Sequence, residues 1–217
     1  MSLIRRLVPP LRPSEQPTFS WARVEPFIDG LYAIAATLLV LELRPPDTEP
    51  GHLGQALVHQ WPNYLIYGLG FVQMIGGWAA SRRLGSLLAR ADHYVLLMTM
   101  LALMSFVLTP FTFAVLGDAV HDRTDFVAGV RLLSIVLTVS LVGLAANMTY
   151  LRRHDYFRPG LHQESFERAY FASVTVWVLP LVALGLSYVI GPWALAPIVV
   201  MSLLSLLPFD LPGDAAV

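Results

Sequence analysis

The sequence predicts an all-α polytopic membrane protein with six transmembrane helices and both termini in the cytoplasm. Three observations lead there. The 217 residues are 56% hydrophobic and only 13% charged, where a soluble domain carries about 25% charge. Six stretches stay apolar for the roughly 20 residues a helix needs to cross hydrocarbon. The basic residues, all arginine, segregate to alternate loops, as the excess of positive charge on the cytoplasmic side requires.

The first helix is expected over 24–43, with Pro26 in its first turn, where the missing N–H is no loss. From Phe27 it is apolar except for Asp29 and Thr37, until Glu42 closes it. The second is expected over 57–80, with Pro62 either opening it or kinking it one turn in. The third covers 92–116, with Pro110 in its outer half, and the fourth 125–150. The fifth, 165–189, contains Pro180, and the sixth runs over 192–208 from Gly191-Pro192 to Pro208. Fifth and sixth share almost no loop and so form a hairpin. The organisation is thus a cytoplasmic N-terminal tail over 1–22, a six-helix membrane domain over 23–208 and a short acidic tail over 209–217. The first twenty residues lack both an apolar core and a small-residue cleavage site, so they read as a tail and not as a signal peptide.

Orientation follows from the arginines. Arg5, Arg6, Arg12 and Arg23, then Arg82, Arg83 and Arg90, then Arg152, Arg153, Arg158 and Arg168 lie on the tail side. The opposite loops hold Arg44 and Arg123 among Asp47, Glu49, Asp118, Asp122 and Asp125. The net charge of −1 gives no basis for binding nucleic acid. With no Cys there is no disulfide, thiol nucleophile or Cys-ligated metal. No pair of histidines has the i, i+4 spacing with an acid that a helical metal site uses, so no metal and no cofactor is expected. No nucleophile–base pair can be named either, and the chain is not expected to be an enzyme.

Within the first helix, Leu31, Ile34, Leu38 and Leu41 recur at spacings of 3, 4 and 3 and fall on one stripe. Gly30, Ala33 and Thr37 form a strip of small residues on its flank. The stripe reads either as an ordinary packing seam or as a pore wall whose apolar rings gate by dewetting. Thr37 either bonds back to a carbonyl one turn earlier or touches a permeating ion's water. Asp29 lies on the far side of the helix from the stripe. An intramembrane acid is a functional candidate by default, yet this one also complements the positive end of the helix dipole. It reads as an anchor to neighbouring helices, through Arg23 or an indole N–H. Arg131, inside the fourth helix, is expected to snorkel or to pair with Asp122 or Asp125. Ser134, Thr138, Asn147 and Gln73 read as polar glue between helices.

Arg23, Phe27, Asp29 and Gly30 fit the pattern Arg-x-x-x-Phe-Ser-Asp-Gly followed by an Ala-Ile-x-x-Thr-Leu-Leu-type helix. This resembles the first helix of the transmembrane protein 175 family of potassium channels, found in lysosomes and in many prokaryotes. Ile28 replaces the motif's Ser. Trp78 matches the Trp at the inner end of the family's second helix, which there continues Trp-x-Asn-His-His-Arg-Leu. This chain reads Trp78-Ala79-Ala80-Ser81-Arg82-Arg83-Leu84, keeping the Arg and Leu and losing Asn and both histidines. The resemblance implies a potassium-permeable, modestly K+-over-Na+-selective cation channel with a hydrophobic constriction at Ile34, Leu38 and Leu41. Leu31 and Thr37 would be pore-adjacent, and Arg23, Phe27, Asp29, Gly30 and Trp78 a structural and gating motif. Animal members carry two six-helix units. With room for one, this chain would be a homotetramer in a prokaryotic plasma membrane, its partners being itself, lipids and monovalent cations, with K+ the permeant ion. The filter signature Thr-Val-Gly-Tyr-Gly is absent. A proton-coupled secondary transporter using Asp29, with Arg131 as counter-charge, and a non-conducting membrane scaffold are the alternatives.

Overall fold

The computed structural model describes residues 18–154, 156–158, 176 and 178–206. The first half of the helix expected over 165–189 therefore lies outside the described residues but for 176, as do most of the N-terminal tail, the tail over 209–217, Arg168 and His162. Among the described residues the regular elements are helices but for one two-residue strand pair and an isolated bridge between Leu88 and Phe157. β1 (Phe19–Ser20) leads directly into α1 (Trp21–Val40). α2 (Leu53–His59) is a short helix with no buried residue, and α3 (Trp61–Gly85) follows after Gln60. β2 (Arg90–Ala91) precedes α4 (His93–Val107), α5 (Thr109–Asp118) and the long α6 (Arg123–Leu151). α7 (Leu179–Leu186), a 3-10 turn (Gly191–Leu195) and α8 (Ala196–Ser205) complete the set.

Several boundaries move from the sequence expectation, each for a local reason. α1 starts at Trp21, three residues early, because Phe19 and Ser20 pair antiparallel with Ala91 and Arg90 and hand the chain on in register. Pro26 is consequently inside the helix and not in its first turn. Its ring leaves the Ala22 carbonyl without a helical donor. Pro62 opens α3 at its second position and does not kink it; the preceding residues form α2 instead. The expected third helix is one apolar rod, His93–Asp118, interrupted at Leu108 just ahead of Pro110. That rod and α6 are, among the described residues, the helices long and apolar enough to cross a membrane by length and composition alone.

α1 packs on α3, α4 and α5; α4 and α5 pack on α6; α8 lies between α3 and α7. Two apolar clusters fill the bundle. The one at the end where α1 begins holds Trp21, Ile28, Tyr32, Met74, Phe106 and Met148. The one at the far end holds Leu39, Phe113, Leu133, Leu137 and Ile198. α3 approaches its neighbours so closely that side chains are excluded at two points. A Cβ at Gly76 would run into Ser205 of α8, and one at Gly77 into the Phe106 ring of α4.

The segment 87–91 gathers three parts of the chain. The Trp21 N–H donates to the Ala89 carbonyl at 3.2 Å, the Ala89 N–H to the Tyr156 carbonyl at 2.9 Å, and the Arg158 N–H to the Leu87 carbonyl at 3.0 Å. The start of α1 is thereby joined to the segment that follows α6.

Candidate functional site

α1 has two unlike faces. Val24, Ile28, Tyr32, Ala35 and Leu39 are buried against the body. On the other side Phe27, Ile34, Leu38 and Leu41 are 54%, 57%, 43% and 68% exposed, with Leu31 half-buried between them. They stand at successive spacings of four and three, so the row is continuous along the helix. Large apolar side chains left uncovered in a contiguous row mark a surface meant for lipid, another chain or a dewetted path. Gly30, Ala33 and Thr37 are exposed beside them, and nothing lies within 4 Å of where a Cβ on Gly30 would stand. The Thr37 hydroxyl donates to the Ile34 carbonyl at 2.8 Å, so its hydrogen is held by its own helix.

Asp29 points away from this row, toward α3. The Trp78 Nε1–H donates to Oδ1 at 2.9 Å, and Arg82 Nη1 donates to Oδ2 at 3.3 Å. The same Arg82 nitrogen pairs with Glu25 Oε1 at 2.8 Å. The guanidinium on Asp29 is thus that of Arg82, not Arg23. The signal was in the spacing: Glu25 and Asp29 stand four apart on α1, Trp78 and Arg82 four apart on α3, so each pair shares a face. Two acceptors on one helix meet two donors on the other, which fixes α1 in both height and rotation.

A second polar cluster was not singled out from the sequence. Asp92 is fully buried and caps α4, accepting from the Val95 N–H at 2.8 Å. It also accepts from the Tyr150 and Tyr156 hydroxyls. Tyr150 stacks on His154 with ring centroids 4.0 Å apart, and His154 on Tyr156 at 5.7 Å. Burial pushes the Asp92 carboxyl up, but the hydrogen bonds from Tyr150, Val95 and Tyr156 together with the nearby His154 outweigh it and hold the group below the usual carboxylate range. Burial, then the hydrogen bond to Asp92, raise the Tyr156 phenol. An Asp before an apolar run is a cap signal; its tyrosine partners are some 60 residues away and have no sequence signature.

Other expectations resolve locally. Arg131 neither snorkels free nor pairs with Asp122 or Asp125. Its Nε donates to Ser187 Oγ at 3.1 Å, its Nη2 to the Ser187 carbonyl at 3.3 Å, and the guanidinium lies 4.1 Å from the Tyr188 ring centroid. Asp122 is instead the α6 N-cap, accepting from the Thr124 and Asp125 N–H groups. Ser134 and Thr138 do not bridge helices; they bond back to the Val130 and Ser134 carbonyls at 2.7 Å each. Asn147 does bridge, donating to Thr99 Oγ1 at 2.9 Å, and Gln73 accepts from Ser202 Oγ at 2.6 Å. Among the described residues no three His, Asp or Glu side chains are grouped to hold a metal.

Residues 23–110 match the model of the endosomal/lysosomal potassium channel TMEM175 family. A potassium channel of Streptomyces collinus is 34% identical over 133 residues, covering 60% of this chain and 64% of that protein. A potassium channel of Chamaesiphon minutus is 36% identical over 124 residues, covering 55% and 61%. The endosomal/lysosomal proton channel TMEM175 of Gallus gallus is 37% identical over 90 residues, covering 37% and 18%. The chain thus matches less than two thirds of the length of these relatives. The fold matches the crystal structure of a lysosomal potassium-selective channel TMEM175 homolog from Chamaesiphon minutus, with TM-score 0.70 and 26% identity over 85% of this chain and 95% of that one.

Proposed function

We propose that the chain, whose residues 23–110 match the TMEM175 family model and whose fold matches a TMEM175 homolog, is a member of that family and a potassium-permeable cation channel whose pore is lined by α1. Four copies would surround one axis, with six spans each and both termini in the cytoplasm of a prokaryotic cell. Ile34, Leu38 and Leu41 would form the apolar constriction, with Leu31 in a wider vestibule and Thr37 beside it. The observation that carries this reading is the uncovered apolar row of α1, set on a helix whose opposite face is fastened to α3 by Asp29, Trp78 and Arg82. A fastened back and an uncovered front are what a pore helix needs.

Branched apolar rings cannot replace an ion's hydration shell. Ions therefore cross at least partly hydrated, which gives modest selectivity for K+ over Na+. A potassium-flux assay on the protein reconstituted in liposomes tests the assignment. Leu38→Ala and Ile34→Asn are expected to change both the flux and the K+/Na+ ratio. Unaltered flux and ratio in both variants would remove α1 from the pore. A proton-coupled carrier would use Asp29 as its proton site, a side chain held here by the Trp78 indole and the Arg82 guanidinium. Saturable flux driven by a proton gradient would restore that alternative, and absence of any flux or symmetric oligomer would favour a scaffold.

A further inference from the structure

A cavity of about 70 Å³ lies between α1, α3, α4 and α6, at the end of the bundle where α1 starts. Most of its wall is apolar, with Ile28, Leu84, Leu103 and Met148 among the lining residues. Two other lining residues carry buried polar atoms that have no hydrogen-bond partner among the described residues: Trp21 Nε1, a donor, and Asn147 Oδ1, an acceptor. A buried polar atom without a partner is costly, because it has given up its hydrogen bonds to water without replacement. The amide of Asn147 already donates to Thr99, and turning it over only exchanges which end is left over. Gly85 lets the indole come close to α3, since a Cβ there would lie 2.8 Å from Nε1. Ala80 and Ser81, where the family pattern quoted above has Asn and His, are also in the wall and leave it hollow.

We propose that this cavity is a binding site for a small neutral hydroxyl compound, a primary alcohol of two or three carbons. Its oxygen accepts from Trp21 Nε1, its hydroxyl hydrogen is given to Asn147 Oδ1, and its alkyl part lies on the Leu and Met wall. One hydroxyl supplies both functions that the two orphaned atoms lack. The size sets the limit on the ligand. The cavity exceeds the roughly 10–15 Å³ that one water needs and is about half the 150 Å³ that admits benzene. In the absence of the alcohol the polar wall keeps water there. Since Trp21, Ile28 and Tyr32 all belong to α1, an occupant presses on the helix assigned above to the pore.

The test reads binding directly and does not depend on conductance, so a failed flux assay leaves it standing. The full chain is labelled with 15N-tryptophan in nanodiscs, and the Trp21 indole resonance is assigned by its loss in Trp21→Phe. Titration with 1-propanol is expected to shift that resonance saturably while the other four tryptophans drift linearly. Asn147→Leu is expected to weaken the binding about tenfold, as loss of one hydrogen bond does. Ala80→Leu, which fills the space and removes neither polar group, is expected to abolish it. A non-saturating shift, or equal saturation in Ala80→Leu, overturns the proposal. Should either variant fail to fold, the unaltered protein decides: 1-hexanol binding as tightly as 1-propanol overturns the site, and its rejection supports it.

Discussion

Removing the indole donor from Asp29 should weaken the bundle more than removing its guanidinium, although the guanidinium carries the full charge. The Trp78 Nε1–Oδ1 bond is 2.9 Å long and joins a neutral donor to a carboxylate. Hydrogen bonds to charged groups contribute about 1.5–3 kcal/mol. The Arg82–Asp29 contact is longer, 3.3 Å, with side chains 44% and 37% exposed, and exposed ion pairs contribute only about 0–1 kcal/mol. Arg82 also keeps Glu25 at 2.8 Å after Asp29 is lost. Double-mutant cycles separate the two. Trp78→Phe crossed with Asp29→Ala should give a coupling of about 1.5–3 kcal/mol, and Arg82→Ala crossed with Asp29→Ala less than about 1 kcal/mol. Stability is read by reversible unfolding in mixed detergent at fixed protein concentration, because any oligomer makes stability concentration-dependent. Raising salt should shrink the arginine term and leave the indole term. A larger coupling for the arginine pair, or an indole coupling near zero, would refute the reasoning.

Three further outcomes are expected. The Asp92 carboxyl holds its proton less tightly folded than unfolded, so its contribution is complete above the unfolded carboxylate value of about 3.9 and is lost as pH falls through the lower folded value; acid unfolding curves of Asp92→Asn should lack this part and show a loss of about 1–3 kcal/mol at neutral pH. Gly77→Leu should cost at least about 1–3 kcal/mol through overpacking against Phe106, seen as a lower midpoint of thermal unfolding. Arg131→Lys should lose the second bond to Ser187 and most of the contact with the Tyr188 ring, destabilising by about 0.5–1.5 kcal/mol, measured against Arg131→Gln in the same assay.

How much of this was legible depended on whether the relevant information was local. The stripe Leu31, Ile34, Leu38 and Leu41 is a periodicity within one helix, and its exposure opposite Ile28, Tyr32 and Leu39 follows from the same rotation. Asp29 could be placed on the anchoring side for that reason, and Trp78 could be matched by motif. Arg82 was passed over because a charge near a helix end reads as a cytoplasmic signal before it reads as a partner. The Asp92 cluster depends on Tyr150 and Tyr156, which reach it only after α4 and α6 pack. Helix α2 is not separated from its successor by the sequence, because Trp61-Pro62 permits either an opening or a kink and the pattern does not choose between them. Ser134 and Thr138 show the opposite failure: a hydroxyl in a membrane helix satisfies itself on its own carbonyls as easily as on a neighbour.

Pro26 sits between two points where α1 is held, the Trp21 backbone at Ala89 and the Asp29 side chain at Trp78. The discontinuity at the proline is therefore pinned on both sides and cannot act as a joint. Above the upper pin the hold continues, with Tyr32, Ala35 and Leu39 each buried against the body. The stretch from Gly30 to Leu41, roughly 16 Å at 1.5 Å per residue, can therefore shift only together with the helices behind it.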